Sequence, residues 1–181
     1  MRFLRDLLRD ESGIAAVEWA FVGPPFLLLL LAIVELGLTF TIQATMDGAA
    51  RDSARLIRTG QVQAAGSNGL STFQSKLCGE LTMFMTDTTC KSNITIDVVT
   101  VAGSTDFTQL PAFTTCAMST VTPPPAGTCP FTPGGSGDLV GVQVTYNRPF
   151  LIPWVGRFLS AASDPQHIRL QSTVVFRNEP F

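Results

Sequence analysis

Phe26-Leu27-Leu28-Leu29-Leu30-Leu31-Ala32-Ile33-Val34 is the stretch on which the reading of this chain turns. It lies inside a longer segment, Trp19 to Met46, whose only ionisable side chain is Glu35. A helix crossing the hydrocarbon core of a bilayer needs about 20 apolar residues, and this segment supplies them. Trp19 stands where an amphipathic ring would settle at a membrane interface. Pro24 and Pro25 remove two backbone donors early in the segment and predict a kink. An acid inside such a span costs about 2.5–3.5 kcal/mol on insertion scales. If Gln43 marks the outer surface, Glu35 lies roughly 12 Å deep. We therefore expect Glu35 to be paired in a helix–helix contact, with Gly37 allowing close approach.

Outside that block the chain changes character. The hydrophobic fraction, 45% of 181 residues, is ordinary, so concentration of apolar residues in one place is the signal. Net charge is −2, and the 12 Lys and Arg residues form no basic stripe interleaved with aromatics, which argues against nucleic acid as a partner. Beyond residue 60 the chain is rich in Ser, Thr, Gly and Pro. All four cysteines, Cys78, Cys90, Cys116 and Cys129, follow the apolar block, and none forms a CxxC pair. The lone His167 has no cysteine near it, so no metal site and no cofactor are expected. An even number of cysteines on one side of a membrane segment favours disulfides in an oxidising compartment. Four cysteines permit three pairings. The one taken forward is local: Cys78–Cys90 joins the end of a second helix to a first strand, and Cys116–Cys129 closes a Pro-rich loop. Each would stabilise by about 3 kcal/mol. Arg2, Arg5 and Arg9 before the span balance Arg51, Arg55 and Arg58 after it, so charge does not orient the chain. The cysteines place the C-terminal domain outside the cytoplasm.

Periodicity sketches the remainder. Ile42, Met46, Ala49, Ser53 and Ile57 fall on one helical face, opposite Asp47, Arg51, Arg55 and Arg58. Asp47 and Arg51 are spaced for an i,i+4 ion pair. The helix should thus continue as a stalk to a C-cap at Gly60. Leu70, Phe73, Leu77, Leu81 and Phe84 predict a second helix to about Met85. Alternation predicts three strands, around Ile94–Val98, Val140–Tyr146 and Ile168–Phe176, the last two antiparallel with residues 150–163 between them. Residues 119–137 read as an extended loop, and the apolar run Phe150 to Val155 as core. The fold class is α+β: a long N-terminal transmembrane and stalk helix, then a small disulfide-stapled head with a short helix and an antiparallel sheet of about three strands.

The run Ser12-Gly13-Ile14-Ala15-Ala16-Val17-Glu18-Trp19 resembles the processing site of pilins and pseudopilins of the tight-adherence (Tad/Flp) system. Ile33-Val34-Glu35-Leu36-Gly37 and Asp47 to Arg55 look like TadE-family members, as does the ending Val174 to Phe181. The resemblance is strong over the first 60 residues, weak from 61 to 137, and returns from Val142. It implies a cleaved leader (residues 1–13), a transmembrane and stalk helix (14–60) and an extracytoplasmic head (61–181). Cleavage after Gly13 would make Ile14 the mature N-terminus and Glu18 the fifth mature residue, beside Trp19. The family implies a minor pseudopilin of the bacterial inner membrane that helps initiate, prime or cap a Flp pilus. Implied partners are a prepilin peptidase, the major Flp pilin, TadF- and TadG-like minor pilins, and the inner-membrane assembly platform with its ATPase.

Two other readings compete. An enzyme needs a convergent set of acids, bases or nucleophiles, and Asp97, Asp106 and Asp138 are scattered, so catalysis is not expected. A tethered periplasmic binding module or adhesin would use the polar loops for recognition. Such a module would need neither the leader cleavage nor Glu18.

Overall fold

The computed structural model describes residues 13–113, 129–152, 156 and 166–181. A single helix, α1 (Ile14–Arg58), runs for 45 residues, or about 68 Å at 1.5 Å per residue. It stays helical through Pro24 and Pro25. It ends at Arg58, and Gly60 follows with φ 79°. The aromatic ring of Phe181 lies where a Cβ at Gly60 would be, 2.5 Å from its nearest ring atom. Glycine at this point is required both by the left-handed backbone and by the C-terminus packed on it.

A short helix α2 (Gln61–Ala64), α3 (Gly69–Glu80) and α4 (Asp87–Asn93) lead into the sheet. The helix expected to reach Met85 stops at Glu80, and Leu81 to Met85 form turns instead. The strands are β1 (Ile94–Val101), β2 (Leu139–Pro149) and β3 (His167–Arg177), in the order β1-β2-β3 and antiparallel throughout. Register pairs Ile96 with Val144, Val98 with Val142, and Val142 with Val174. That registration puts Ile96, Val98, Val142, Val144, Leu170 and Val174 on one face.

This face packs on both α3 and the second half of α1. Ile42, Met46, Ala49, Ser53 and Ile57 are all buried, as their spacing predicts, alongside Phe73, Leu77, Ile96, Val98, Val142 and Val144. The helix is therefore one wall of the head's core rather than a free stalk beneath it. On its other side, Asp47 accepts a hydrogen bond from Gln43 at 3.0 Å. No Asp47–Arg51 ion pair forms among the described residues.

Cys78 in α3 and Cys90 in α4 form the expected disulfide, with Cα atoms 5.7 Å apart. Cys90 sits in the short helix before β1, not in the strand, so the bridge ties helix to helix. Cys129 is also disulfide-bonded, whereas Cys116 and most of the Pro-rich loop lie outside the described residues. Past that loop, Phe131 pairs with Val98, and the Val98 amide donates to the Pro130 carbonyl at 2.9 Å. The run expected to be core divides. Phe150 is buried, Leu151 is 67% exposed, and residues 153–155 lie outside the described residues.

The reverse face of β1 and β2 is also covered. Val99, Leu139, Gln143, Thr145 and Asp97 are buried there, and the ring of Phe113 would meet a Cβ at Gly141 at 2.8 Å. Neither carboxylate oxygen of Asp97 has a hydrogen-bond partner among the described residues. Burial pushes the Asp97 carboxyl above its ordinary value of 3.8. A carboxyl raised in the folded state adds stability only below its unfolded pKa and loses it as pH rises through the folded pKa. Asp97→Asn should therefore stabilise the head by about 1 kcal/mol at pH 7. The gap to the wild type should close as pH falls toward 4. Paired denaturant titrations across that range check it, and a pH-independent gap would contradict it.

Candidate functional site

The exposed length of α1 is the first feature of the site. From Ala16 to Val34 the side chains are exposed apart from Gly23 and partly covered Ala32, and the first fully buried side chain is Glu35. Ile14 to Val34 are 21 residues, about 31 Å of helix. That length matches a hydrocarbon core of about 30 Å. Phe21 is 78% and Leu29 58% exposed, a state that water would penalise and lipid would not. Gly13 stands at the N-cap, with nothing among the described residues within 4 Å of the place its side chain would take. Glu18 is exposed and makes no ion pair among the described residues. Trp19 packs its ring against Gly23, where an added Cβ would come within 2.8 Å of it.

The second feature is the junction where the head first meets the helix. Glu35 is 1% exposed, and its Oε1 lies 2.7 Å from Nη2 of Arg148 near the end of β2, itself 4% exposed in its side chain. Arg148 Nη1 donates to Thr39 Oγ1 at 2.6 Å, and that hydroxyl donates to the Glu35 carbonyl at 2.8 Å. The carboxylate and Nη2 are close without a well-aligned hydrogen bond between them, so attraction between the charges dominates their contact. The partner sought for Glu35 on a neighbouring helix is thus provided by the head of the same chain. Arg148 and Thr39 were not foreseen. Arg148 had a signal, because it continues the inward-facing alternation Val140, Val142, Val144, Tyr146 and is the one charge on that side of β2.

Gly37 points the other way. It is exposed with no described residue within 4 Å of a side chain placed there, as is Gly48, and Thr41 and Ala44 between them are exposed too. Small side chains at these positions line the face of α1 turned from the head. The distal end of the helix is fastened to the C-terminus. The Glu179 amide donates to the Arg58 carbonyl at 2.9 Å, and the two side chains pair at 2.9 Å.

Among the described residues, one helix near the N-terminus is long and apolar enough to cross a membrane and carries a small α+β head, an arrangement that fits a single-pass membrane protein. Residues 13–55 match the family described as TadE-like protein, so this segment carries the signature of that family. The match begins at the candidate processing glycine and runs through Glu18, Glu35 and Gly37; the resemblance read from Val142 onward lies outside it. No curated protein and no solved structure matches the chain. The family is structural rather than enzymatic and implies a minor pilin associated with a Tad pilus.

Proposed function

We propose that this chain is a minor pseudopilin that takes part in initiating, priming or capping a Flp-type pilus. A prepilin peptidase removes residues 1–13, freeing the amine of Ile14 at the cytoplasmic membrane face, and the head lies in the periplasm. The observation that carries the reading is the state of α1. It is bare of the chain's own packing from Ala16 to Val34, and beyond that it presents Gly37, Thr41, Ala44 and Gly48 on the face away from the head. Bare apolar helix suits lipid before assembly and a bundle of neighbouring helices after it. Its partners are the major Flp pilin, TadF- and TadG-like minor pilins and the inner-membrane platform with its ATPase. The open space around Gly37 supports a role for it outside the subunit's own fold.

Intact mass and fractionation of the native protein test the reading together. The mature chain should begin at Ile14 and co-purify with partner pilins. Retention of residues 1–13 would point instead to a tethered binding module.

Gly37→Leu separates fold from assembly. Nothing among the described residues meets a side chain there, and glycine within a helix costs about 1 kcal/mol against alanine. The variant should unfold no more easily than wild type, yet lose partner pilins on co-purification. Undiminished co-purification would remove this face from the assembly surface.

A further inference from the structure

The base of the head carries an apolar cleft of about 270 Å³, bounded by Leu38 and Ile42 of α1, Met83 and Phe84 of the turn after α3, Tyr146 of β2, and Leu151 just beyond β2. Its rim is open: Met83 is 85% and Leu151 67% exposed. Surface turns are ordinarily polar, yet Leu81, Met83, Phe84 and Met85 make this one apolar in four of its five residues. Among the described residues that line the cleft, the cation is Arg148, which is already paired with Glu35.

Position says what such a rim is for. Leu38 lies four residues beyond Val34, about 6 Å further along the helix axis. The apolar cleft therefore adjoins the exposed apolar length of α1, which continues through Leu36 and Phe40, and the polar group between them, Glu35, is buried against Arg148 rather than turned to solvent. Apolar groups held parallel to a bilayer bury about 5–10 Å into the boundary between headgroups and acyl chains, and the base of the head sits at that level. We propose that this cleft is a lipid-contacting base, through which Met83 and Leu151 enter the bilayer leaflet that faces the head and acyl chains occupy the space between them. The proposal rests on α1 spanning the membrane.

Single cysteines at Met83, Leu151, Leu29 and Ser67, labelled without reduction with an environment-sensitive fluorophore, test it in proteoliposomes of the full chain. Leu29 reports the span itself, and exposed Ser67 lies at the opposite end of the head. Lipids brominated at shallow or deep acyl positions serve as quenchers. Labels at 83 and 151 should shift to the blue and lose most of their emission to shallow bromines, with Ser67 unaffected and Leu29 quenched most by deep ones. Labels at 83 and 151 that behave like Ser67 while Leu29 is quenched would overturn the proposal. So would blue-shifted labels that bromine does not reach and that turn wet when the protein is diluted in lipid, because a second copy would then fill the cleft. An unquenched Leu29 would instead overturn the membrane span.

Discussion

Arg148→Ala should cost the head about 3–5 kcal/mol of its attachment to α1, because it leaves the Glu35 carboxylate buried without its counter-charge. Glu35 is 1% exposed, so it has no route to water while the head stays docked. Removing the arginine also strips Thr39 of its donor. The head must then either hold a carboxylate in a dry junction or lift its base away from the helix. Hydrogen exchange in detergent micelles would read the second outcome as faster exchange of β2 near Arg148, with α3 and β1 less affected. The double variant Glu35→Leu with Arg148→Met is the telling control. Replacing a buried ion pair by apolar side chains of similar size is often neutral or stabilising, so this variant should recover most of the loss. If Arg148→Ala unfolds at the wild-type denaturant midpoint, the pair contributes nothing to docking.

Glu18→Gln should leave membrane insertion and leader cleavage largely intact while abolishing surface pili. If Ile14 is the mature N-terminus, Glu18 lies one helical turn beyond the new amine, and a negative charge there gains about 0.3–1 kcal/mol from the helix dipole alone. That gain needs no second subunit. In the assembly reading the larger effect comes from pairing Glu18 with the amine of a neighbouring pilin. An unpaired charge drawn into a helix bundle loses its hydration, whereas a matched pair recovers much of that cost. The pair also sets axial register, since sliding by one turn leaves both charges alone. Exposure of Glu18 in the single chain, without an ion-pair partner among the described residues, is compatible with such a contact. Glu18→Asp, with its shorter reach, should be intermediate. Scoring cleavage, insertion and piliation separately decides the matter. Normal piliation in Glu18→Gln would sink the register role, and loss of cleavage alone would assign Glu18 to the peptidase.

Much of this architecture was legible in residue spacing. The apolar block, the inward face of α1 and the alternation of three strands each follow from a local period that packing then obeys. What was not legible depends on contacts between distant parts of the chain. Glu35 reads alone as a membrane carboxylate seeking another helix, because its partner lies far along the sequence on β2. Arg148 reads alone as the polar end of a strand. Only the joint fact, one inward acid on the helix and one inward cation on the sheet, identifies the pair. Asp97, Gln143 and Thr145 misled in the opposite sense. Polar alternation marks a solvent face, yet Phe113 lies over neighbouring Gly141 and these three side chains are buried. Glu80, where α3 stops, is a boundary error of a familiar kind, since Leu81 and Phe84 still fit a helical period while forming turns.

Both ends of the head meet the helix at the same place. The chain leaves α1 at Arg58, and it returns there through Glu179 and Phe181. The covalent hinge and its clasp therefore sit at the top of the helix, and the Glu35–Arg148 latch sits at the bottom. Arg58 stands 23 positions beyond Glu35, which makes a lever arm of about 35 Å. Tension along the helix axis loads that whole interface in shear rather than peeling it from one end. When α1 is drawn lengthwise the head travels with it as cargo, and only a sideways pull at the latch works at full mechanical advantage.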